Sequence, residues 1–268
     1  MKIGNQEFQM SGHTYVMGIL NVTPDSFSDG GHYNQMETAL RHVEEMIGDG
    51  ADIIDVGGES TRPGHTQITI SEEIRRVVPV IRAIKERYDI PVSIDTYKPE
   101  VAKEALMAGA DMLNDIWGFL YDGKMADLAA ESGVPVCLMH NRDNTDYHDF
   151  SREYLEDMKR CLAVAEQHGV KKERIILDPG VGFGKTYEQN LLVLKHLEDF
   201  VNLGYPVLLG TSRKSVIGLT LDLPADEREE GTQVTTALAV QCGCQFVRVH
   251  NVKGNVRTIR MMEAIKNA

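Results

Sequence analysis

Short apolar runs recur along the whole chain, separated by stretches in which apolar residues return at three- and four-residue spacing. The runs are Tyr15–Leu20, Ile53–Val56, Val92–Ile94, Met112–Leu113, Val136–Met139, Ile175–Leu177, Val207–Leu209 and Phe246–Val249. Their length and apolar character predict eight buried strands, and the longer periodic stretches predict helices between them. Most runs follow a glycine of the kind that ends helices: Gly50, Gly109, Gly133, Gly169, Gly204 or Gly243. Helix starts are also marked. Ser71-Glu72-Glu73 opens an amphipathic run, and Lys98-Pro99-Glu100 puts proline in a first turn. Eight strands alternating with helices predict a single (β/α)8 barrel, because right-handed crossovers force a parallel sheet. A doubly wound open sheet is the alternative. The lead-in from Met1 to His13 reads as a small hairpin plugging the bottom of the barrel.

Composition narrows the class. The chain has 268 residues, 42% of them hydrophobic, and a formal net charge of −12. That length suits one barrel of about 250 residues, and no linker or low-complexity tract divides it, so residues 1–268 read as one domain. The negative charge argues against nucleic acid or a membrane surface as partner. No apolar run approaches the roughly 20 residues of a membrane span, and no signal-peptide pattern opens the chain, so the expected location is cytoplasmic. The four cysteines, Cys137, Cys161, Cys242 and Cys244, lack zinc-type spacing and read as reduced structural thiols.

Candidate chemistry sits just past each strand: Asn21; Glu59, Ser60, Thr61 and Arg62; Asp95; Asn114 and Asp115; His140; Asp178; Arg213 and Lys214; Arg248 and His250. A barrel brings all strand ends to one face, so these groups converge there. The stretch Asp178–Lys185, DPGVGFGK, lies between a strand and a helix with leucines at 191, 192, 194 and 197. It is not a phosphate loop, because Pro179 stands where that motif needs glycine. It reads either as an ordinary glycine-rich loop or as a carboxylate followed by three glycines that admit a flat ligand to the backbone. The segments Val22–Gly31 and Gly57–Gly64 are long, polar and glycine-rich, as lids are, and Phe27 in the first reads as a cap on a ligand.

Seven segments, in order, resemble dihydropteroate synthase: Leu20–Gly31, Asp55–Gly64, Ser93–Thr96, Asn114–Ile116, Leu177–Lys185, Gly210–Ser215 and Arg248–Val252. The resemblance covers nearly the whole chain. It implies a pterin-binding (β/α)8 barrel that joins 6-hydroxymethyl-7,8-dihydropterin diphosphate to 4-aminobenzoate, giving 7,8-dihydropteroate and diphosphate, a step of folate biosynthesis that sulfonamides block. The chain departs from the family in the segment Met139–Phe150 and at Val216, differences that bear on subgroup and sulfonamide response more than on activity.

The resemblance also implies roles. Asp178, Asp95 and Asn114 would bind the pterin edge, Lys214 its carbonyl or N5 region, Arg248 its face, and Met139 would pack below. Asn21 would bind Mg²⁺ together with the diphosphate, with Ser60, Thr61, Arg62, Arg248 and His250 completing the anion site. Phe27, Pro63, Phe183 and Ser215 would form the aminobenzoate pocket. Asp29 and Thr61, with Lys214, would serve the reaction, which is expected to break the C–O bond before the amine attacks. A homodimer is implied as well. Two alternatives are a related pterin-binding methyltransferase, which needs no diphosphate site, and a catalytically idle homologue, which would be expected to lose Asn21, Arg62 or Lys214.

Overall fold

The computed structural model describes residues 1–23, 32–59 and 67–268, and of 32–35 the backbone alone. All eight expected strands form. After the two-residue strands β1 (Lys2–Ile3) and β2 (Gln6–Glu7) come β3 (Tyr15–Asn21), β4 (Ile53–Gly57), β5 (Val92–Asp95), β6 (Met112–Asp115), β7 (Val136–Met139), β8 (Ile175–Asp178), β9 (Leu208–Leu209) and β10 (Phe246–Val249). Five of the eight extend past their apolar run by one or two residues, so that Asn21, Gly57, Asp95, Asn114 with Asp115, and Asp178 sit inside the ladder. Burial explains why these runs are strands at all. All five residues of β4 are buried, as a parallel strand covered on both faces requires.

The parallel sheet runs β8-β7-β6-β5-β4-β3-β10-β9. Its two ends meet where Leu177 bridges Val207 in parallel and the Leu177 amide donates to the Pro206 carbonyl at 2.8 Å. Sequential order with the ends joined is a barrel, and the open doubly wound sheet is excluded. Among the described residues the helices are α1 (His32–Asp49), α2 (Ile70–Arg87), α3 (Pro99–Met107), α4 (Lys124–Ser132), α5 (Phe150–Gln167), α6 (Tyr187–Lys195), α7 (Leu197–Val201), α8 (Ser215–Leu221), α9 (Glu229–Cys242) and α10 (Val252–Lys266). Helix α2 begins one residue before the expected Ser71, because the Thr69 side chain accepts from the Glu72 amide. Helix α3 starts on Pro99 as expected. The leucine-rich stretch after residue 187 is two helices, broken at His196. Gly133 and Gly243 end α4 and α9 at φ 66° and 84°, a conformation costly for any residue with a Cβ.

Strand side chains alternate between the barrel interior and the helix layer. The lower interior is apolar: Met17, Ile53, Met112, Cys137, Ile176, Leu208 and Phe246 pack with Ile3 and Phe8 of the lead-in. The expected plug is therefore present, an antiparallel pair whose Ile3 and Phe8 close the bottom. All four cysteines are free, and three of them are buried. No described helix is long and apolar enough to cross a membrane. Above the apolar layers the interior becomes polar, and that change positions the site.

Candidate active site

The same alternation that buries Ile53 and Met112 carries the next inward position into the upper barrel. There β4 offers Asp55, β5 Ser93 and Asp95, β6 Asn114, β8 Asp178 and β10 Arg248, and of these only Arg248 is more than a few per cent exposed. Arg248 lies between two carboxylates, its Nε donating to Asp55 Oδ2 and its Nη2 to Asp95 Oδ2, each at 2.6 Å. Asn114 Nδ2 donates to the same Asp55 oxygen at 3.2 Å. Three buried oxygens of this floor, Asp55 Oδ1, Ser93 Oγ and Asp95 Oδ1, have no partner. Buried polar atoms are nearly always paired, so a cluster of unpartnered ones marks a surface shaped for hydrogen-bond donors from elsewhere.

Two inward glycines keep space open above the floor. A Cβ on Gly57 would lie 3.6 Å from the Asp95 Cβ and 3.7 Å from Asn21 Oδ1. One on Gly210 would lie 3.4 Å from Asp178 Oδ2 and 3.9 Å from Lys214 Nζ. Any side chain there would fill a slot bounded by two carboxylates, an amide and an ammonium. Lys214 donates to the Val181 carbonyl at 2.5 Å and lies 4.7 Å over the Phe183 ring. Met139 packs with Tyr97 and Ile116, and Trp117 and Phe183 join that cluster.

Burial sets the charges. It pushes the Asp95 carboxyl up to about 7, against the opposing pull of Arg248. It also raises Asp178, which Lys214 and the Gly180 amide hold back. Burial brings Lys214 down to about 8, with Asp178 opposing. Burial works against the Arg248 charge as well, but Asp55 and Asp95 outweigh it and raise its pKa. A site in which Asp95, Asp178, Lys214 and Arg248 titrate away from their ordinary values is a candidate for function.

Not every strand-tip residue joins the floor, and pleat parity decides which do. Asn114 faces inward, whereas its neighbour Asp115 turns outward and accepts from the amides of Trp117 and Phe119 at 2.9 and 2.8 Å, capping its own turn. His140 follows inward Met139 and is buried outside the barrel against Asp157 and Lys185. Glu59 turns away to Lys98 (2.5 Å) and to the hydroxyl of Tyr97 (3.1 Å). His250 stays near the rim, its Nδ1 2.9 Å from the Ser212 hydroxyl, which in turn accepts from the His250 amide at 3.2 Å. Asn21 ends β3 beside Gly57, and exposed Ser215 opens α8. Phe27, Asp29, Ser60, Thr61, Arg62 and Pro63 lie outside the described residues, as does most of each expected lid.

The glycines after Asp178 need a correction. A Cβ on Gly180 would fall 1.9 Å from the His140 carbonyl oxygen, and one on Gly184 would lie 2.7 Å from that of Arg142. These two glycines admit the backbone that follows β7, not a ligand. The slot glycines are instead Gly57 and Gly210. Asp55 is the functional candidate missed in sequence. It was hidden inside an apolar run, yet two-residue spacing from Ile53 places it inward.

His140 gives a pH prediction. Burial drives its pKa down to about 4, so the folded protein keeps it neutral. The unfolded chain titrates near 6.5, so it binds the extra proton between these values and stability falls as pH drops through that window. The loss is about 3 kcal/mol. Urea midpoints at pH 7 and pH 4.5 should separate more in the wild type than in His140→Asn. Equal separations would contradict the buried neutral imidazole.

Comparison with known proteins agrees with this geometry. Residues 17–250 match the family described as pterin binding enzyme. The chain is 59% identical to a dihydropteroate synthase of Clostridium beijerinckii, over 99% of each chain. It superposes on the Clostridium difficile dihydropteroate synthase solved in the presence of pteroic acid with a TM-score of 0.93, 50% identity and full coverage of both chains. It also superposes on the Xanthomonas albilineans dihydropteroate synthase with 4-aminobenzoic acid, with a TM-score of 0.91 and 41% identity, over 96% of this chain and 94% of that one.

Proposed function

Because the chain belongs to the dihydropteroate synthases of the pterin-binding enzyme family, we propose that it condenses 6-hydroxymethyl-7,8-dihydropterin diphosphate with 4-aminobenzoate, releasing diphosphate. The observation that carries this reading is the floor itself, with its three unpartnered buried oxygens beneath a slot kept open by two inward glycines. A pterin presents a flat edge of amine and ring N–H donors together with acceptors. Asp178 takes the 2-amino and N3 edge through Oδ2, since Oδ1 already accepts from the Gly180 amide at 2.7 Å. Asp95 and Asn114 meet other ring positions, and Asp55, locked to Arg248 and Asn114, fixes their geometry. Lys214 donates to the pterin carbonyl or N5 region. Met139 supports the ring from below, and Arg248 packs its guanidinium against the face. Ligands that cannot pair this floor are rejected, because they would leave buried charges unpaired.

Asn21 offers one amide oxygen at the strand end beside the Asp95 carboxylate, and among the described residues no group of three or more acidic, histidine or cysteine side chains forms a dedicated metal cage. That donor set fits Mg²⁺, which takes few protein ligands and keeps much of its water. Bound there with the substrate, Mg²⁺ would supply positive charge to the leaving diphosphate. His250 and Arg248 contribute donors to the same anion, as would Ser60, Thr61 and Arg62.

The chemistry needs no protein nucleophile. The bond between the pterin methylene and the diphosphate oxygen breaks, its electron pair leaves with the diphosphate, and the ring nitrogens delocalise the methylene cation. The aminobenzoate amine then forms the new C–N bond and loses its proton. Phe183 packs on the benzoate ring, as Phe27 and Pro63 would, and Ser215 holds the carboxylate by its hydroxyl or amide. Asp29 and Thr61 would shield the cation from water. Sulfonamides would compete for this half of the site. The late helices also carry exposed apolar residues that a homodimer would cover: Leu219 and Leu221 on α8, Val234 on α9, and Met261 and Ile265 on α10.

Diphosphate release with and without 4-aminobenzoate, in Mg²⁺ and then in EDTA, tests the order of events. Release that needs Mg²⁺, proceeds slowly without the amine and accelerates with it is expected. Release that never occurs before the amine arrives would overturn cleavage ahead of attack.

A further inference from the structure

The loop joining β8 to α6 is gripped from inside by a lysine that takes no part in the reaction above. Lys185 is only 8% exposed, and its Nζ lies 2.9 Å from the Gly180 carbonyl oxygen, 2.9 Å from that of Phe183 and 2.8 Å from His140 Nδ1. The direction of the last contact follows from its neighbour. His140 is fully buried, and its Nε2 faces Asp157 Oδ2 at 3.2 Å. An ionised carboxylate only accepts, so Nε2 carries the proton of the neutral ring and Nδ1 is bare. Hydrogen bonds from His140, Arg142 and Arg160 keep Asp157 ionised against burial, which alone would raise its pKa. Burial pulls the Lys185 pKa well below its ordinary value, with Asp178 opposing; the three acceptors within 2.9 Å favour the charged form, because only an ammonium has three donors to match them.

The result is a continuous strut. It runs from Asp157 on α5 through His140, just past β7, to Lys185, and ends on two carbonyls of the loop. Those carbonyls bracket a short arc. Within it the Val181 carbonyl accepts from Lys214, the Gly182 amide donates to Asn190 Oδ1 at 2.6 Å, and the Phe183 ring lies under the Lys214 ammonium.

Resting on the reading of Phe183 as a wall of the aminobenzoate pocket, we propose that Lys185 is a positioning residue of the synthase reaction. Its bonds to the Gly180 and Phe183 carbonyls, backed by His140 and Asp157, fix the arc so that Phe183 presents its ring to aminobenzoate. Lys185 touches neither substrate. Its effect is on geometry, where displacements near 1 Å cost up to about a hundredfold in rate.

Lys185→Met keeps the length and apolar stem of the side chain and removes all three bonds. In the ligand-free protein, amide exchange at Val181–Gly184 should speed up. The KM for 4-aminobenzoate should rise about tenfold or more, while affinity for the pterin diphosphate, held by Asp178, Asp95 and Asn114, should change less than about threefold. A double variant with Phe183→Ala should be no worse in KM than Phe183→Ala alone, because Lys185 acts through that ring. Unchanged exchange, parallel loss of both substrates, or additive effects would overturn the proposal and leave the pocket reading intact. If Phe183→Ala by itself leaves the aminobenzoate KM unchanged, the pocket reading fails first. Should Lys185→Met not fold, His140→Leu removes one acceptor and should show the same split at smaller size, with exchange and KM at wild-type values counting against the strut.

Discussion

Asp178→Ala should lose pterin binding while its stability changes little. The carboxylate is 4% exposed, and Oδ1 is committed to the Gly180 amide, so Oδ2 is the face turned toward the slot beside Lys214. Truncating one member of a buried charged pair costs about 2–5 kcal/mol in binding. A site that meets a ligand edge with two donors should lose on the order of 10³-fold in affinity or more. Stability is set by opposing effects. Burial raises the folded pKa of Asp178, so the fold disfavours its charged form, and that penalty grows as pH rises above the unfolded value. Removing the group relieves the penalty but leaves the buried Gly180 amide and Lys214 without their carboxylate partner, so the two effects largely offset. Calorimetry with a pterin, together with a melting curve, checks both halves. Wild-type affinity in Asp178→Ala would remove the residue from the pterin edge, and a large fall in melting temperature would make it structural.

Arg248→Met should destabilise the barrel itself. Asp55 is fully buried and Asp95 is 6% exposed, and the guanidinium between them is the cation that each contacts directly. Losing one partner of a buried ionic group costs about 3–5 kcal/mol, because the remaining charges cannot reach water. For a chain of this size that lowers the melting temperature by roughly 10 °C. Asp55→Asn combined with Arg248→Met should recover part of the loss, since an amide in that place carries no charge. Urea or thermal unfolding of the single and double variants reads this directly. A single variant as stable as the wild type would mean that the Arg248 guanidinium does not offset the burial of the two carboxylates.

Much of this architecture was legible in sequence, and for one reason. Strands buried on both faces must be apolar, so Val136–Met139 or Phe246–Val249 stand out against the periodic helices around them. The convergence of Asp95, Asn114, Asp178, Lys214 and Arg248 followed from the barrel, which gathers strand ends whatever their separation in the chain.

What was not legible turns on direction. Asn114 and Asp115 are adjacent and both polar, yet one faces the slot and the other caps a turn. Only strand register distinguishes them, and the short run Met112–Leu113 did not reach far enough to set it. Asp55 was hidden for the opposite reason, enclosed by isoleucine and valine in a strand whose inward and outward sides are both buried. Gly180 and Gly184 of the loop after Asp178 looked ligand-facing because their contact, the backbone of His140 and Arg142, lies about 40 residues away in sequence. The strut from Asp157 through His140 to Lys185 escapes a linear reading for the same reason.

The most direct measurement is the yield of 7,8-dihydropteroate per diphosphate released, by mass spectrometry and phosphate assay, when the protein is given both substrates and Mg²⁺. One product for each diphosphate, abolished in Asp178→Ala, is the result predicted here. Diphosphate without dihydropteroate, or neither product from a folded protein that binds pterin, would contradict it.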